Sequence, residues 1–266
     1  MIDLHLHSTA SDGTDPPKEV VRRAAALGLT AIAVSDHDSV EGVDEALAVG
    51  KIAGVEVVPA VEMSSEADGT DVHFLGYFID HKDPNLLDSL AALRMARYER
   101  ALVMVERLKE LGVDLRMEDV LVEAGEGAVG RAHVARALLA TGKVASLEEA
   151  FSKYLARERP AYVSKRVAAP KDVIEIIHGV GGIASLAHPG VNGAERYVDE
   201  FVSYGLDAIE VYHYEHTPQQ TADFIELARD KGLLVTGGSD CHGSKSTRGM
   251  TMGSVKVPDS VLEALK

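Results

Sequence analysis

The chain is poor in cysteine, since Cys241 is the only one among its 266 residues. A single cysteine excludes an internal disulfide and a cysteine-rich structural zinc site, and it favours a reducing, cytoplasmic location. No apolar run approaches the ~18–20 residues that a membrane span requires. Polar residues follow closely after Met1, which predicts that there is no signal peptide. We therefore expect no membrane partner.

Positive charge is also scarce. The chain has 27 lysines and arginines against 42 aspartates and glutamates, which gives a formal net charge of -15. This excess disfavours a general electrostatic attraction to long duplex nucleic acid. Bound metal ions would add positive charge that is not counted in the sequence.

Predicted strands and helices alternate along most of the chain. Seven apolar strand patterns are mostly separated by amphipathic helices, which is typical of a parallel α/β architecture. The alternation stops after the fourth strand, where residues 81–164 carry mainly helical patterns, beginning with a long helix from Pro84. We therefore expect one barrel formed by residues 1–80 and 165–266, with residues 81–164 as an all-helical insertion that caps the substrate site.

Polar side chains recur near the carboxyl ends of the predicted strands. In α/β barrels the active site forms at this end, whereas an open doubly wound sheet gathers its ligands near one switch point. The distribution around successive strands therefore favours a barrel. Nine of these side chains are candidate metal ligands: His5, His7, Asp12, His37, Glu62, His73, His188, Asp240 and His242.

The residue types indicate a metal centre. His5 and His7 in "IDLHLH" are two residues apart on a strand, so they point the same way and can bind one ion. Imidazole and carboxylate ligands without thiolate suit manganese, iron or zinc. A catalytic ion usually takes about three protein ligands, so nine candidates predict two or three divalent ions. A lone histidine on a strand is more often a satisfied core residue, and only the recurrence at successive strand ends favours metal binding.

Four motifs follow one another along the chain: "DLHLHSTASDGT", "VSDHDSVEG", "AHPG" and "GSDCHG". In this order they resemble the PHP (polymerase and histidinol phosphatase) family, which shares ancestry with metal-dependent amidohydrolases. The resemblance implies a distorted (β/α)7, TIM-like barrel that holds up to three metal ions and hydrolyses phosphate esters. Within the family, "GRAHVARALL" and "AFSKYLARERPAYVSK" are similar to the TrpH-like branch. That branch includes phosphatases of nucleoside 3′,5′-bisphosphates and an exoribonuclease that works from the 5′ end.

The resemblance also implies how the ligands are shared among the ions. The first ion would be held by His5, His7, Glu62 and Asp240. Glu62 would bridge to a second ion, completed by His73 and His188. The third ion would be held by Asp12, His37 and His242. Some members have histidine at the position of Asp12. The aspartate here weakly favours manganese or iron over zinc at this third site.

Candidates for proton transfer and substrate binding lie outside the metal ligands. His213 or His216 could protonate the leaving oxygen, and a structural or exposed role is equally compatible with the sequence. A second anionic group on the substrate would need cations away from the metals, and five residues supply them: Arg97, Arg100, Arg131, His133 and Lys165. A solvated helix face also explains Arg97 and Arg100. Arg131 begins a predicted helix, whose N-terminus favours an anion.

These features predict a metal-dependent phosphoesterase. Its expected substrate is a small nucleotide, such as a nucleoside 3′,5′-bisphosphate, or a short oligonucleotide, cleaved by a metal-bound hydroxide. A histidinol-phosphate phosphatase or another small-molecule phosphomonoesterase is the alternative. An amidohydrolase-like enzyme would typically carry a lysine at the place of Glu62. A non-catalytic metal-binding or polymerase-accessory module would be free to lose the ligands present here.

Overall fold

The computed structural model describes residues 1–125, 127–164, 168–246 and 251–266. Seven strands of this part of the chain form one sheet in sequential order. They are β1 (Ile2–Leu6), β2 (Ala31–Val34), β3 (Glu56–Ala67), β4 (Thr70–Tyr77), β5 (Ile183–Leu186), β6 (Ala208–His213) and β7 (Leu234–Gly238). The sheet curves until β1 reaches the end of β7, where the His7 N–H donates to the Cys241 carbonyl at 3.0 Å. The predicted α/β barrel is thus confirmed, and it is nearly closed.

The sheet is parallel except around β4. This strand runs antiparallel to both β3 and β5. Asp68 and Gly69 connect β3 to β4, and both have positive φ angles, 47° and 73°. Two positive φ angles are characteristic of the tight hairpin turn that matches the twist of the strands it joins. The hairpin makes β3 longer than its neighbours and carries His73 back toward the strand ends.

In the described part of the chain, seven helices connect or follow the strands of the barrel. They are α1 (Pro17–Ala26), α2 (Val43–Ala53), α7 (Pro170–Gly179), α8 (Pro189–Asn192), α9 (Val198–Ser203), α10 (Pro218–Lys231) and α11 (Asp259–Leu265). Proline opens four of them, where its fixed φ suits the first helical turn. A 3-10 helix at Ala194–Tyr197 leads directly into α9. Its start follows Gly193, whose φ of 75° separates it from α8. No helix among the described residues is long and apolar enough to cross a membrane.

The described residues between β4 and α7 form helices and no strand. These are α3 (Pro84–Glu110), α4 (Met117–Ala124), α5 (Arg131–Ala140), α6 (Leu147–Ala150) and a π-helix (Phe151–Leu155). They bury an apolar cluster of their own that includes Met104, Val134 and Leu155. Burying such side chains stabilises a fold by ~1.5–3 kcal/mol each. The predicted helical content of this insertion is therefore found, whereas its independence as a domain stays a prediction.

Buried polar contacts attach this insertion to the end of the barrel. The Arg97 guanidinium forms an ion pair with Asp38 and donates to the Ser64 hydroxyl at 2.6 Å. Arg136 donates to the main-chain carbonyl of Asp12 at 3.1 Å. These contacts hold α3 and α5 against the loops that follow β1 and β2. The insertion consequently lies over the carboxyl ends of the strands, where the predicted ligands are found.

Candidate active site

Glu62, near the middle of β3, is the centre of the polar cluster. Its Oε1 lies 2.8 Å from His73 Nδ1 and 2.9 Å from His188 Nε2. Its Oε2 lies 2.9 Å from His37 Nδ1. The same oxygen lies 3.4 Å from His5 Nε2 and 3.3 Å from His7 Nε2. The carboxylate is almost fully buried. A carboxylate that contacts histidines on both oxygens has the geometry of a bridging ligand.

Asp240 and Asp12 extend the cluster on either side. Asp240 Oδ1 lies 3.0 Å from His7 Nε2 and 3.5 Å from His5 Nε2. Asp12 Oδ1 lies 3.2 Å from His242 Nε2. All nine predicted ligands are therefore gathered at one end of the barrel, although they come from seven separate segments of the chain.

The local backbone explains how side chains from different strands come so close. Asp240 has a φ of 52° and His188 a φ of 28°, conformations that cost energy and persist where surrounding contacts impose them. Gly238 allows β7 to approach β1, because a Cβ at this position would lie 2.3 Å from the His5 nitrogen. These positions are strained or crowded where the ligands converge, as is common at functional sites.

Several atoms of the cluster make no hydrogen bond within the described residues. They include His5 Nε2, His7 Nε2, His37 Nδ1 and Glu62 Oε2, all buried. Buried polar atoms without hydrogen bonds cost free energy unless another partner satisfies them. These nitrogens and oxygens face one another at 2.9–3.4 Å, so a cation bound between them would satisfy both kinds of atom. The donor set therefore fits a metal centre.

The electrostatics of the cluster favour positive charge. Burial alone would lower the pKa of His7, but the neighbouring carboxylates of Asp240 and Glu62 outweigh it and raise that pKa to about 10. Burial alone would raise the pKa of Glu62, but positive charge on His37, His73 and His5 holds that pKa well below its usual range. The carboxylates thus stay ionised in the interior, where a cation compensates them.

Three groups of potential ligand atoms each lie within a radius suited to an ion. They are His5–His7–Asp240, His37–Glu62–His73 and His7–Asp12–His37–His242, and within each group the atoms lie within 4.8 Å of one another. The groups share His7 and His37. They resemble the division expected for three ions but do not reproduce it. The first group lacks Glu62, the second contains His37 and lacks His188, and the third also contains His7. His188 lies 2.9 Å from Glu62.

Two further carboxylates support the cluster without being among the nine. Glu210 accepts a hydrogen bond from His5 Nδ1 at 3.0 Å and another from the His188 main-chain N–H at 2.7 Å. Asp36 accepts hydrogen bonds from the hydroxyls of Ser8 and Ser11, both at 2.6 Å. Such contacts fix the orientation of metal-binding side chains. Glu210 is the clearest functional residue that the ligand pattern omits.

The two candidate proton donors occupy different environments. His213 Nδ1 accepts the Glu215 N–H at 3.2 Å, so its proton lies on Nε2, which is 3.6 Å from Asp240 Oδ2. His216 uses both nitrogens on the main chain: Nδ1 donates to the Val211 carbonyl at 2.9 Å and Nε2 accepts the Gly190 N–H at 3.2 Å. The structure therefore brings His213 to the cluster and gives His216 a structural role.

A cavity of about 470 Å³ opens beside the cluster. Its walls include Arg97, Arg100 and Arg131 together with six of the nine predicted ligands. His133 does not line it, since its Nδ1 accepts the Gly130 N–H at 2.9 Å and burial lowers its pKa to about 4. Lys165 lies outside the described residues. Two of the three arginines are therefore placed to contact a ligand, because Arg97 is already paired with Asp38.

The comparisons with known proteins agree with this site. The PHP domain family matches residues 3–159, which is more than half of the chain. The chain belongs to the PHP family.

Relatives of this PHP chain have named activities. A 5′-3′ exoribonuclease of Haemophilus influenzae is 35% identical over 245 residues, covering 90% of this chain and 89% of the relative. A 3′,5′-nucleoside bisphosphate phosphatase of Chromobacterium violaceum is 35% identical over 247 residues, covering 91% and 87%. A solved structure from Bifidobacterium adolescentis, assigned as a metal-dependent phosphoesterase, superposes with a TM-score of 0.91 at 30% identity and covers 99% and 94%. This PHP chain is accordingly a metal-dependent hydrolase of phosphoric esters that uses divalent cations.

Proposed function

We propose that the chain hydrolyses a small nucleotide that carries two phosphates, namely a nucleoside 3′,5′-bisphosphate or the 5′ end of a short oligonucleotide. One phosphate would bind at the metal centre and the other at Arg100 and Arg131. The observation that carries this proposal is the single cavity that contains both the ligand cluster and these two guanidinium groups.

Arg100 is a buried cation, and the carboxylate of Asp71 near it is only half-buried. Its side chain is 7% exposed, Nε donates to the Val163 carbonyl at 2.7 Å, and Nη2 has no hydrogen bond among the described residues. Burial and the neighbouring charge of Arg131 lower its pKa to about 10. An anionic ligand would satisfy this group and relieve the repulsion between the two arginines.

Arg131 is positioned for the same anion. Its guanidinium lies over the ring of Tyr162 at 5.5 Å, and that of Arg100 lies 5.9 Å from the same ring. Arg131 Nη2 pairs with Asp71 Oδ2 at 3.4 Å, a long contact that leaves the other guanidinium donors available to a ligand. Arg131 also begins α5, where main-chain N–H groups favour negative charge. The residues together form a preformed phosphate subsite at the base of the insertion, which supports its role as a cap.

The named activities of the relatives support the same substrate class. A nucleoside bisphosphate and the 5′ end of an RNA both present two phosphates separated by one nucleoside. Histidinol phosphate, the alternative, carries one phosphate and an amine. Arg100 and Arg131 would repel an ammonium group, so the cavity favours the nucleotide.

For the metals we propose the division given by the family pattern. His5, His7, Glu62 and Asp240 would hold one ion, Glu62, His73 and His188 a second, and Asp12, His37 and His242 a third. Manganese, iron and zinc all suit these imidazole and carboxylate donors. Such cations, when bound, supply Lewis-acid stabilisation of the phosphoryl oxygens and a water of lowered pKa.

The protein's own groups would orient the substrate and transfer a proton. We assign the leaving-group proton to His213, because its Nε2–H faces the cluster beside Asp240. Arg100 and Arg131 would hold the remote phosphate and thereby fix the reacting phosphate against the centre. The one cysteine, which is buried, supports a reducing cytoplasmic setting for this activity.

A phosphate-release screen of manganese-loaded protein tests the proposal. The panel contains a nucleoside 3′,5′-bisphosphate, the matching 3′- and 5′-monophosphates, short oligoribonucleotides and histidinol phosphate. We expect the highest kcat/KM with the bisphosphate or with 5′-phosphorylated oligonucleotides. A preference for histidinol phosphate would overturn the proposal.

A further inference from the structure

A second cavity lies next to the first and also reaches the metal-ligand cluster. Its volume is about 360 Å³, within the range of small-molecule sites. Asp12, Ala132 and Phe151 line both cavities, and His242 lines the second one only. The ligands Asp12 and His242 thus form the floor at which the second cavity meets the centre. The site is open on two sides of the position where a phosphate would react.

The walls of the second cavity combine cations with an aromatic ring. Lys245 and Arg136 are the basic residues, and Phe151 and Leu147 provide apolar surface. Arg136 is held by the Asp12 carbonyl at 3.1 Å, and Lys245 is exposed at the rim. Phe151 is half-buried and opens the π-helix that follows α6. Irregular helical turns of this kind are frequent at functional sites.

Removal of a terminal phosphate does not require this second cavity. A bisphosphate extends from the reacting phosphorus in one direction only, toward Arg100 and Arg131, and the released product is inorganic phosphate. A phosphodiester carries a second substituent on the same phosphorus, and that substituent needs space on the opposite side. Cations for phosphate and an aromatic face for an unpaired base are the groups that bind single-stranded nucleic acid.

We propose that the second cavity binds the nucleotide on the 3′ side of the reacting phosphate in a single-stranded chain. Phe151 stacks on its base, and Lys245 contacts the phosphate that follows it. The inference rests on the proposed function. In the corresponding reaction water adds its oxygen to phosphorus, the P–O3′ bond breaks, and O3′ takes a proton. The products are a nucleoside 5′-phosphate and a shortened chain that again carries a 5′-phosphate.

Two substrates with the same 5′ nucleotide separate the cavities. Adenosine 3′,5′-bisphosphate (pAp) fills only the first, whereas the dinucleotide pApUp adds a base and a phosphate for the second. Release of adenosine 5′-phosphate from each gives two values of kcat/KM. We expect the wild-type protein to cleave both, and the ratio of kcat/KM for pApUp to that for pAp is the quantity that reports on the second cavity.

Reversal of one charge at the rim provides the first variant. Lys245→Glu should lower the ratio about tenfold, since it places a carboxylate against the added phosphate. Lys171→Glu is the matched control, because Lys171 is an exposed lysine on α7 that pairs with Glu175 at 3.7 Å. Phe151→Leu keeps apolar volume without the ring and should lower the ratio about fivefold or more, as loss of base stacking does. An unchanged ratio in both Lys245→Glu and Phe151→Leu overturns the inference.

A binding measurement makes the result independent of turnover. The affinity of the protein for pApUp with a phosphorothioate at the reacting position is compared with its affinity for pAp that carries the same phosphorothioate. We expect the dinucleotide to bind more tightly, and Lys245→Glu to remove much of the gain while Lys171→Glu retains it. No gain in the wild-type protein overturns the second cavity as a nucleotide site. Absence of turnover on both substrates, with this gain present, contradicts the proposed function and leaves the binding site supported.

Discussion

The Glu210 carboxylate accepts a hydrogen bond from His5 Nδ1 at 3.0 Å, although 205 positions separate the two residues. His5 Nδ1 therefore carries a proton that points to Glu210, and His5 Nε2 faces Glu62 and Asp240. Burial alone would raise the pKa of Glu210, but the charges of His5, His213 and His188 outweigh it and lower that pKa. Glu210 is therefore an ionised, fully buried residue that orients His5, one of the predicted metal ligands.

Glu210→Gln should weaken metal binding by about ten- to a hundredfold, the usual cost of losing such an orienting partner. The amide keeps the volume of the carboxylate but cannot accept from both His5 and the His188 N–H without turning its NH₂ group toward one donor. Competition with a chelator measures the affinity, and circular dichroism checks that the fold is retained. Wild-type metal affinity in a folded Glu210→Gln protein would contradict this role.

The sequence predicts the nine ligands but not Glu210, and the reason is geometric. The spacing of His5 and His7 matches the two-residue period of a strand, so the sequence alone indicates that they share one face. Glu210 lies on the sixth strand, and its function depends on which side chain faces it across the barrel. Register and curvature set that contact, and neither can be obtained from the local pattern of β6. The antiparallel pairing of β4 is different, because it depends on the Asp68–Gly69 turn, which is a local feature of the sequence.

Glu62→Ala, Asp240→Ala and His188→Ala should each abolish turnover and leave a folded protein. The apolar core of the barrel lies beneath these side chains, so the loss is expected to be chemical. Metal content, measured by elemental analysis, should fall together with activity. Glu66→Ala on the same strand is a control, because Glu66 is not among the potential ligands. Near-wild-type rates at saturating metal in any of the three variants would show that the ligand assignment is wrong.

Removal of metal should lower the melting temperature. A ligand that binds only the folded state stabilises it by RT ln(1 + [L]/Kd), which is ~2.7 kcal/mol at a hundredfold excess over Kd. Dialysis against a chelator followed by differential scanning calorimetry measures the decrease, and added Mn²⁺ should restore the original value. Glu62→Ala should show little response to either treatment. An identical melting temperature with and without the chelator would contradict a metal centre in this cluster.

The arginines of α3 show what helical spacing leaves undecided. Arg97 and Arg100 recur at a three-residue interval, a spacing that is compatible with a solvated helix face and with a ligand site. In the structure both are buried, but Arg97 pairs with Asp38, whereas Arg100 Nη2 has no hydrogen bond among the described residues. The difference depends on which barrel loop each side chain meets. Sequence therefore predicts the cations near the site and not their division between structural and binding roles.

Arg97→Met should destabilise the protein by ~3–5 kcal/mol. Removal of one partner from a buried ion pair leaves the other charge uncompensated, and here that charge is Asp38, which is fully buried. Chemical denaturation of the metal-loaded proteins measures the difference. Arg116→Met is the control, because Arg116 pairs with Asp119 at an exposed position and such pairs contribute ~0–1 kcal/mol. Equal losses in the two variants would show that Arg97 does not attach the insertion through Asp38.

Arg131→Ala should distinguish substrates with two phosphates from those with one. Loss of a charge-assisted hydrogen bond costs ~1.5–3 kcal/mol, or about ten- to a hundredfold in kcat/KM. We expect this loss with a nucleoside 3′,5′-bisphosphate and little change with the matching 3′-monophosphate, since the monophosphate lacks the group that Arg131 would bind.

Arg94→Ala provides the comparison for Arg131→Ala. Both side chains are 29% exposed and both are paired with a carboxylate, Arg94 with Glu41 and Arg131 with Asp71. Among the described residues, Arg94 does not line the cavity. Its replacement should therefore change kcat/KM by the same factor for the two substrates. If Arg131→Ala also lowers kcat/KM for both substrates by the same factor, the arginine stabilises the insertion and does not bind a remote phosphate. A loss confined to the bisphosphate would instead place the second phosphate at α5, because no general weakening of the fold can depend on a group that only one substrate carries.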